Sequence, residues 1–300
     1  MLHNVIAVAN GKGGVGKTSL AANTAGILAN SGWRVLAVDL DRQGNLQKDL
    51  GYRDDPRHDH GEMLFAALTG ELDLSPVLTD VRPNLDVIPG GERLEYADAG
   101  LSRQGYDPRL LAAKLAPLAA EYDLIVLDCP PAGGVMTTLA MGAARGLVIP
   151  VKADDASTEG LELMASQFQR VKASANPDLE VLGVAIFALE SGATALRETI
   201  RTELTEALGD IAPVFNSVIR HSSRSAFDTR RAGELAHEYE VDAASAKGDR
   251  LRALRQGGGA ALSNLRRFSS SADGLAGDYQ SLVMEIADRL SELEPVEATP

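Results

Sequence analysis

Residues 11–18 read Gly-Lys-Gly-Gly-Val-Gly-Lys-Thr, the G-x-x-x-x-G-K-[ST] spacing of a phosphate-binding loop. The glycines let backbone N–H groups converge on phosphate oxygens without Cβ obstruction. A helix opening at Lys17 adds its positive end to the same point. Lys17 can reach the β- and γ-phosphates of a nucleoside triphosphate, and the Thr18 hydroxyl can ligate Mg²⁺. Two carboxylate sites follow at the ends of apolar runs, Val-Leu-Ala-Val-Asp-Leu-Asp at residues 35–41 and Leu-Ile-Val-Leu-Asp at 124–128. Ligands of open α/β sheets sit beyond the carboxyl ends of the strands, so Asp39, Asp41 and Asp128 are expected at the edge that holds the phosphates. Asp128 is the candidate for holding Mg²⁺, through water, and Asp41 the candidate for orienting an attacking water. Lys12 has no task in the bare loop pattern.

These side chains need strands to deliver them. Residues 5–9, 34–38, 85–88, 124–127, 146–151, 181–187 and 212–218 read as strands. Their apolar runs are continuous rather than alternating, as expected for strands covered on both faces. Residues 17–30, 108–120, 135–144, 159–173, 193–208 and 275–293 read as helices, with Ser31-Gly32 stopping the first. The repeated strand–helix alternation predicts an α/β fold: a single P-loop domain over residues 1–300, with a mainly parallel central sheet and helices on both faces. Residues 248–271 break the rhythm with Gly257-Gly258-Gly259 and Ser269-Ser270-Ser271 among arginines. The stretch 243–271 is therefore expected to be a basic insertion or mobile loop before the last helix.

The bulk numbers exclude several classes. Aromatic residues are only 4% of the chain, which disfavours a stacking surface for single-stranded nucleic acid. The one cysteine, Cys129, allows neither an internal disulfide nor a Cys-rich zinc site, and fits a reducing cytoplasm. No signal peptide or membrane span is legible. The net charge of −13 hides an uneven distribution. Residues 243–271 hold six basic groups against one acid, whereas residues 272–300 hold seven acids against one arginine. Local asymmetry of this kind matters more than the total for binding a polyanion.

Taken together, Lys12–Thr18 (KGGVGKT), residues 38–45 (VDLDRQGN), residues 122–131 (YDLIVLDCPP) and Ile-Pro-Val at 149–151 followed by Glu159-Gly160-Leu161 resemble the ParA/MinD family of deviant Walker ATPases. The resemblance runs to about residue 240 and resumes in the last helix. It implies that Gly11, Lys12, Gly13, Gly14, Val15, Gly16, Lys17, Thr18 and Ser19 bind ATP. It also implies that Lys12, Lys17 and Asp41 carry hydrolysis, and that Asp39 joins Thr18 and Asp128 around Mg²⁺. Lys12 becomes a signature lysine that reaches across a dimer interface to the partner's nucleotide, relieving crowded negative charge as an arginine finger does. Arg42 stands where the family usually places proline.

Within that family the acidic C-terminus does not suit a membrane-binding helix. The single cysteine does not suit the iron–sulfur or arsenical-pump branches, and a C-terminal tyrosine cluster is absent. The resemblance then implies a DNA-partition ATPase without an N-terminal helix-turn-helix: cytoplasmic and nucleoid-associated, dimeric with ATP, bound to nonspecific duplex and released by a ParB-like partner. Arg220, Arg224, Arg230, Arg231, Lys247, Arg250, Arg252, Arg255, Arg266 and Arg267 are the expected phosphate contacts, ten basic residues against six acids between 216 and 267. The alternative is a nucleotide-switched scaffold that positions a protein and binds no DNA.

Overall fold

Along the first strand, β1 (Val5–Val8), side chains divide between two layers: Val5 and Ala7 pack on one side, Ile6 and Val8 on the other. The same division runs through β2 (Val35–Asp39) and β5 (Leu124–Asp128), all of whose residues are buried. Two-sided burial explains the continuous apolar runs. The other strands are β3 (Leu78–Arg82), β4 (Leu85–Ile88), β6 (Gly146–Lys152), β7 (Glu180–Leu189) and β8 (Val214–Arg220). They form one sheet in the order β3-β4-β2-β5-β1-β6-β7-β8, parallel except for β3, which runs antiparallel to β4. The computed structural model describes residues 2–131, 133–152, 158–189, 194–209, 212–255, 268 and 272–293.

Helices cover both faces, as expected. One layer holds α3 (Glu62–Thr69), α4 (Arg93–Gln104), α5 (Leu110–Ala119), α6 (Val135–Ala143), α7 (Thr158–Ser174) and α8 (Thr194–Leu208). The other holds α1 (Lys17–Asn30), the short α2 (Leu46–Asp49), the start of α10 (Ala236–Arg255) and α11 (Ala272–Glu292). Helix α9 (Ser223–Ala232) lies between β8 and α10; the Ser222 side chain caps its start and Gly233, in the left-handed region, ends it.

The edges are closed in different ways. At the β3 side, Pro83 and Asn84 make a two-residue turn between Arg82 and Leu85, with Asn84 at φ 63°. On the β8 side, Glu285 of α11 accepts from the backbone N–H groups of Asn216 and Ser217, each at 2.7 Å. Asp278 accepts from that of Arg220 at 3.0 Å. These carboxylates occupy donors that an exposed edge would offer to another chain.

The sequence reading needs two corrections. Strand β3 and helices α2, α3, α4, α9 and α10 were not foreseen. The expected basic loop is helical over its first part, because α10 continues through Gly248 to Arg255. One buried anchor pair, Tyr239 and Ala243, holds the helix at its base, and Phe268 packs against both. Residues 256–267 and 269–271 lie outside the described residues.

The backbone makes one unusually close approach. Gly51 (φ 72°) and Gly233 (φ 70°) face each other so tightly that a Cβ on Gly51 would come 2.8 Å from the Gly233 carbonyl oxygen. The Arg82 guanidinium seals this junction by donating to Leu50 O, Gly233 O and both oxygens of Glu238. Gly51→Ala and Gly233→Ala each combine a left-handed φ with a backbone clash, so each should lower the unfolding free energy by roughly 1–3 kcal/mol. Urea denaturation checks this, and an unshifted midpoint for either variant would contradict it.

Candidate nucleotide and metal site

Register brings the site together. In the parallel sheet Val8 of β1 pairs with Asp128 of β5, and Asp128 pairs with Asp39 of β2. Both carboxylates therefore emerge beside the loop that leaves β1, at the carboxyl edge where the sequence places them. Gly14 (φ 75°) and Gly16 (φ 96°) turn that loop into α1. Asn10 braces it from below, donating to Pro150 O at 2.7 Å while its Oδ1 accepts from the Lys12 backbone N–H at 2.9 Å. Phe187 lies so close to Gly16 that an added Cβ would stand 2.6 Å from the ring.

Lys17 is buried, and its amine donates to Lys12 O at 2.8 Å. Desolvation lowers its pKa, opposed in part by the neighbouring acidic groups of Asp128, Cys129 and Asp41. An amine so placed has a strong electrostatic reason to turn onto phosphate oxygens. Lys12 has an exposed side chain at the outer rim of the loop.

Asp128 is fully enclosed, yet neither of its carboxylate oxygens has a hydrogen-bond partner. The nearby Thr18 hydroxyl offsets only part of the burial, and desolvation, reinforced by the Asp39 charge, pushes the Asp128 pKa well up. A buried carboxylate left unpartnered beside a threonine hydroxyl fits the outer shell of a magnesium ion. Asp39 also has a scaffolding task. Its two oxygens accept from the backbone N–H groups of Asp41 (2.9 Å) and Leu46 (3.1 Å), so it sets the following loop and the start of α2. Burial raises its pKa to about 7 against the lowering effect of those two bonds.

Asp41 is 6% exposed and accepts from Gln43 N at 2.9 Å through Oδ1. It lines a cleft of about 490 Å³ together with Arg42, Glu95, Asp98 and Pro131. Arg42, standing where proline is usual, pairs with Glu95 at 3.2 Å across the mouth of that cleft. On the other side of the loop, a cavity of about 260 Å³ runs from Gly14, Gly16 and Ser19 to Ile219, His221 and Tyr279. Sequence reasoning did not find this cavity, because it joins the first loop to the ends of β7 and β8, more than 170 residues away in the chain.

The expected DNA contacts are dispersed. Arg220 is turned inward, its guanidinium donating twice to Asp278 at 2.6 and 2.8 Å, so it ties β8 to α11 and is not a free phosphate contact. Arg230 donates to the buried Asp49 at 3.1 Å. Arg224 pairs along α9 with Asp228 and is exposed, as is Arg231. Lys247, Arg252 and Arg255 are exposed on the outer half of α10, which also carries Arg250 in its backbone. Arg266 and Arg267 lie outside the described residues. Cys129 is buried and free, as its place after the strand suggests.

The AAA domain family profile matches residues 3–181. The chain is 35% identical over 198 residues to the chromosome partitioning protein ParA of Myxococcus xanthus, covering 65% of this chain and 69% of that one. It is 34% identical over 224 residues to the ParA of Caulobacter vibrioides, covering 73% and 81%. The chain belongs to the ParA/MinD family of P-loop ATPases. Among solved structures, a cobyrinic acid a,c-diamide synthase of Mycobacterium smegmatis with bound ADP and magnesium superposes with a TM-score of 0.65 at 28% identity, covering 85% of this chain and 96% of that one. The ParA-like fold and the mainly parallel sheet flanked by helices agree with the sequence reading. Among the described residues no helix is long and apolar enough to cross a membrane.

The buried carboxylates give a pH signature. In the nucleotide-free, metal-free protein Asp39 holds its proton up to about pH 7, whereas the unfolded chain releases it in the ordinary carboxylate range near pH 4. The folded state binds more protons within that window, so stability should be greatest at its acidic end and decline as pH rises towards 7. Asp39→Asn should flatten this decline, read as unfolding free energy against pH in EDTA; an equal slope in both proteins would contradict the burial argument. Gly90 supports the same loop from behind: a Cβ there would lie 2.6 Å from Asp41 O and 2.7 Å from Asp39 O. Gly90→Ala should lower kcat for nucleotide hydrolysis at least tenfold while the protein still binds nucleotide.

Proposed function

We propose that this protein is a DNA-partition ATPase whose ATP-bound dimer holds nonspecific duplex and whose hydrolysis, stimulated by a ParB-like partner, releases it. The reading is carried by the identity of about a third to two chromosome partitioning proteins. The basic exposed ends of α9 and α10 support it.

In this reading the backbone N–H groups of residues 13–18 cradle the phosphates of ATP, and Lys17 moves from Lys12 O onto the β- and γ-oxygens. Thr18 and Asp128 would hold Mg²⁺, with Asp39 supporting them from the next strand. Magnesium, when bound, neutralises the phosphate oxygens and fixes their orientation. Asp41, held by Asp39 and by its own bond to Gln43 N, keeps one carboxylate oxygen for orienting the attacking water. Lys12, at the rim, crosses to the nucleotide of a second subunit, so that triphosphate occupancy favours the dimer. Pairing two subunits doubles the basic surface, which raises avidity and steepens the salt dependence of DNA binding. The protein would act in the cytoplasm, on the nucleoid.

The deciding experiment is retention on random-sequence duplex with ATP, with ADP and without nucleotide, at two salt concentrations. The partition reading expects retention with ATP only, falling steeply with salt. No retention under any condition would favour a nucleotide-switched scaffold that positions a protein. Replacing Arg250, Arg252 and Arg255 together by Glu should weaken retention at least tenfold with nucleotide affinity unchanged. Lys12→Ala should bind nucleotide as a monomer; normal ATP-dependent dimerisation of that variant, by light scattering, would remove the cross-subunit role.

A further inference from the structure

The hydrolytic chemistry makes no use of Asp49, yet this carboxylate is buried to 5% exposure beside the site. Burying a charge is costly unless partners compensate. Asp49 has two, on different elements: the Ser19 hydroxyl donates to Oδ1 at 2.8 Å, and Arg230 Nε donates to Oδ2 at 3.1 Å. Ser19 follows the magnesium-binding Thr18 in the first turn of α1, and Arg230 stands in the last turn of α9. Asp49 itself ends α2, whose first residue, Leu46, is held by Asp39.

The four residues of α2 thus form a strut from the loop of Asp39 and Asp41 to α9. Just beyond it, Gly51 is pressed against Gly233 and Leu50 O is fixed by Arg82. The C-terminal end of α9 is therefore gripped twice by residues 49–51, once by charge and once by backbone contact. Arg224 and Arg231 are carried on the same helix.

We propose that Asp49 is a positioning residue that makes the setting of α9 depend on nucleotide occupancy, by holding Ser19 of the phosphate loop helix and Arg230 of α9 on one carboxylate. The proposal rests on the reading of residues 11–19 as the nucleotide site. When the loop closes on phosphates and the first turn of α1 is reset, the Ser19 hydroxyl changes its hold on Asp49, and the last turn of α9 follows through Arg230. The arginine-bearing face of α9 is then presented in one nucleotide state and not in the other.

The test is amide hydrogen exchange on the full chain, without DNA, with and without saturating magnesium and AMPPNP. In the wild-type protein nucleotide should alter protection in residues 11–20 and also in residues 223–232. In Asp49→Ala and Arg230→Ala the response at 11–20 should persist, showing a folded and nucleotide-bound protein, while the response at 223–232 is lost. Asp49→Asn, which keeps an acceptor for Ser19 but loses the charge for Arg230, should retain only part of it. No response of 223–232 in the wild-type protein, or an undiminished response in both alanine variants, overturns the proposal. Loss of both responses in Asp49→Ala and Asp49→Asn also overturns it, since Asp49 would then belong to the binding site itself. Failure of DNA retention with the α9 response intact would instead sink only the partition reading.

Discussion

Two carboxylates forced side by side into a dry sheet edge organise this molecule. Asp39 and Asp128 are register partners on adjacent parallel strands, and both are sealed from water. Such a pair is unfavourable when both members are charged. The fold resolves this by giving them unequal surroundings. Asp39 receives two backbone N–H groups and becomes part of the scaffold. Asp128 receives none and keeps its binding capacity for a cation. The loop of Asp41, the strut of α2 and the buried Lys17 are all arranged around that inequality.

This arrangement also connects the phosphate loop to α9 through a short helix. The loop glycines present phosphate donors on one side, while α2 links the back of the same loop to α9. The contact between Gly51 and Gly233, with Arg82 across it, makes the connection stiff. A binding event at the loop can shift such a junction without large rearrangement, because packed interfaces have discrete arrangements rather than a continuum.

Much of this was legible in the sequence, for physical reasons. Helix α1 could be read to its boundary residues because a glycine loop starts it and Ser31-Gly32 stops it. The buried parallel strands announced themselves as unbroken apolar runs. Edge strand β3 did not, because Thr79 and Asp80 are exposed, Val81 and Arg82 are only half covered, and Pro83 follows directly. Helix α10 was read as loop beyond Gly248 because its apolar stripe is weak and its residues are largely exposed. The phosphate loop and its three aspartates were visible as spacing and strand ends. The separate roles of Asp39 and Asp128 were not, since they depend on which backbone N–H groups the next turn supplies. Arg220 and Arg230 looked like surface charges; their partners, Asp278 and Asp49, lie 58 and 181 positions away.

Asp128, enclosed and unpartnered at both carboxylate oxygens, is the group that ties magnesium to nucleotide binding. Isothermal titration calorimetry of nucleotide binding with and without magnesium, in the wild-type protein and in Asp128→Asn, tests this most directly. Magnesium should tighten nucleotide binding by roughly tenfold or more in the wild-type protein and by much less in Asp128→Asn. An equal effect of magnesium in both proteins would contradict the account.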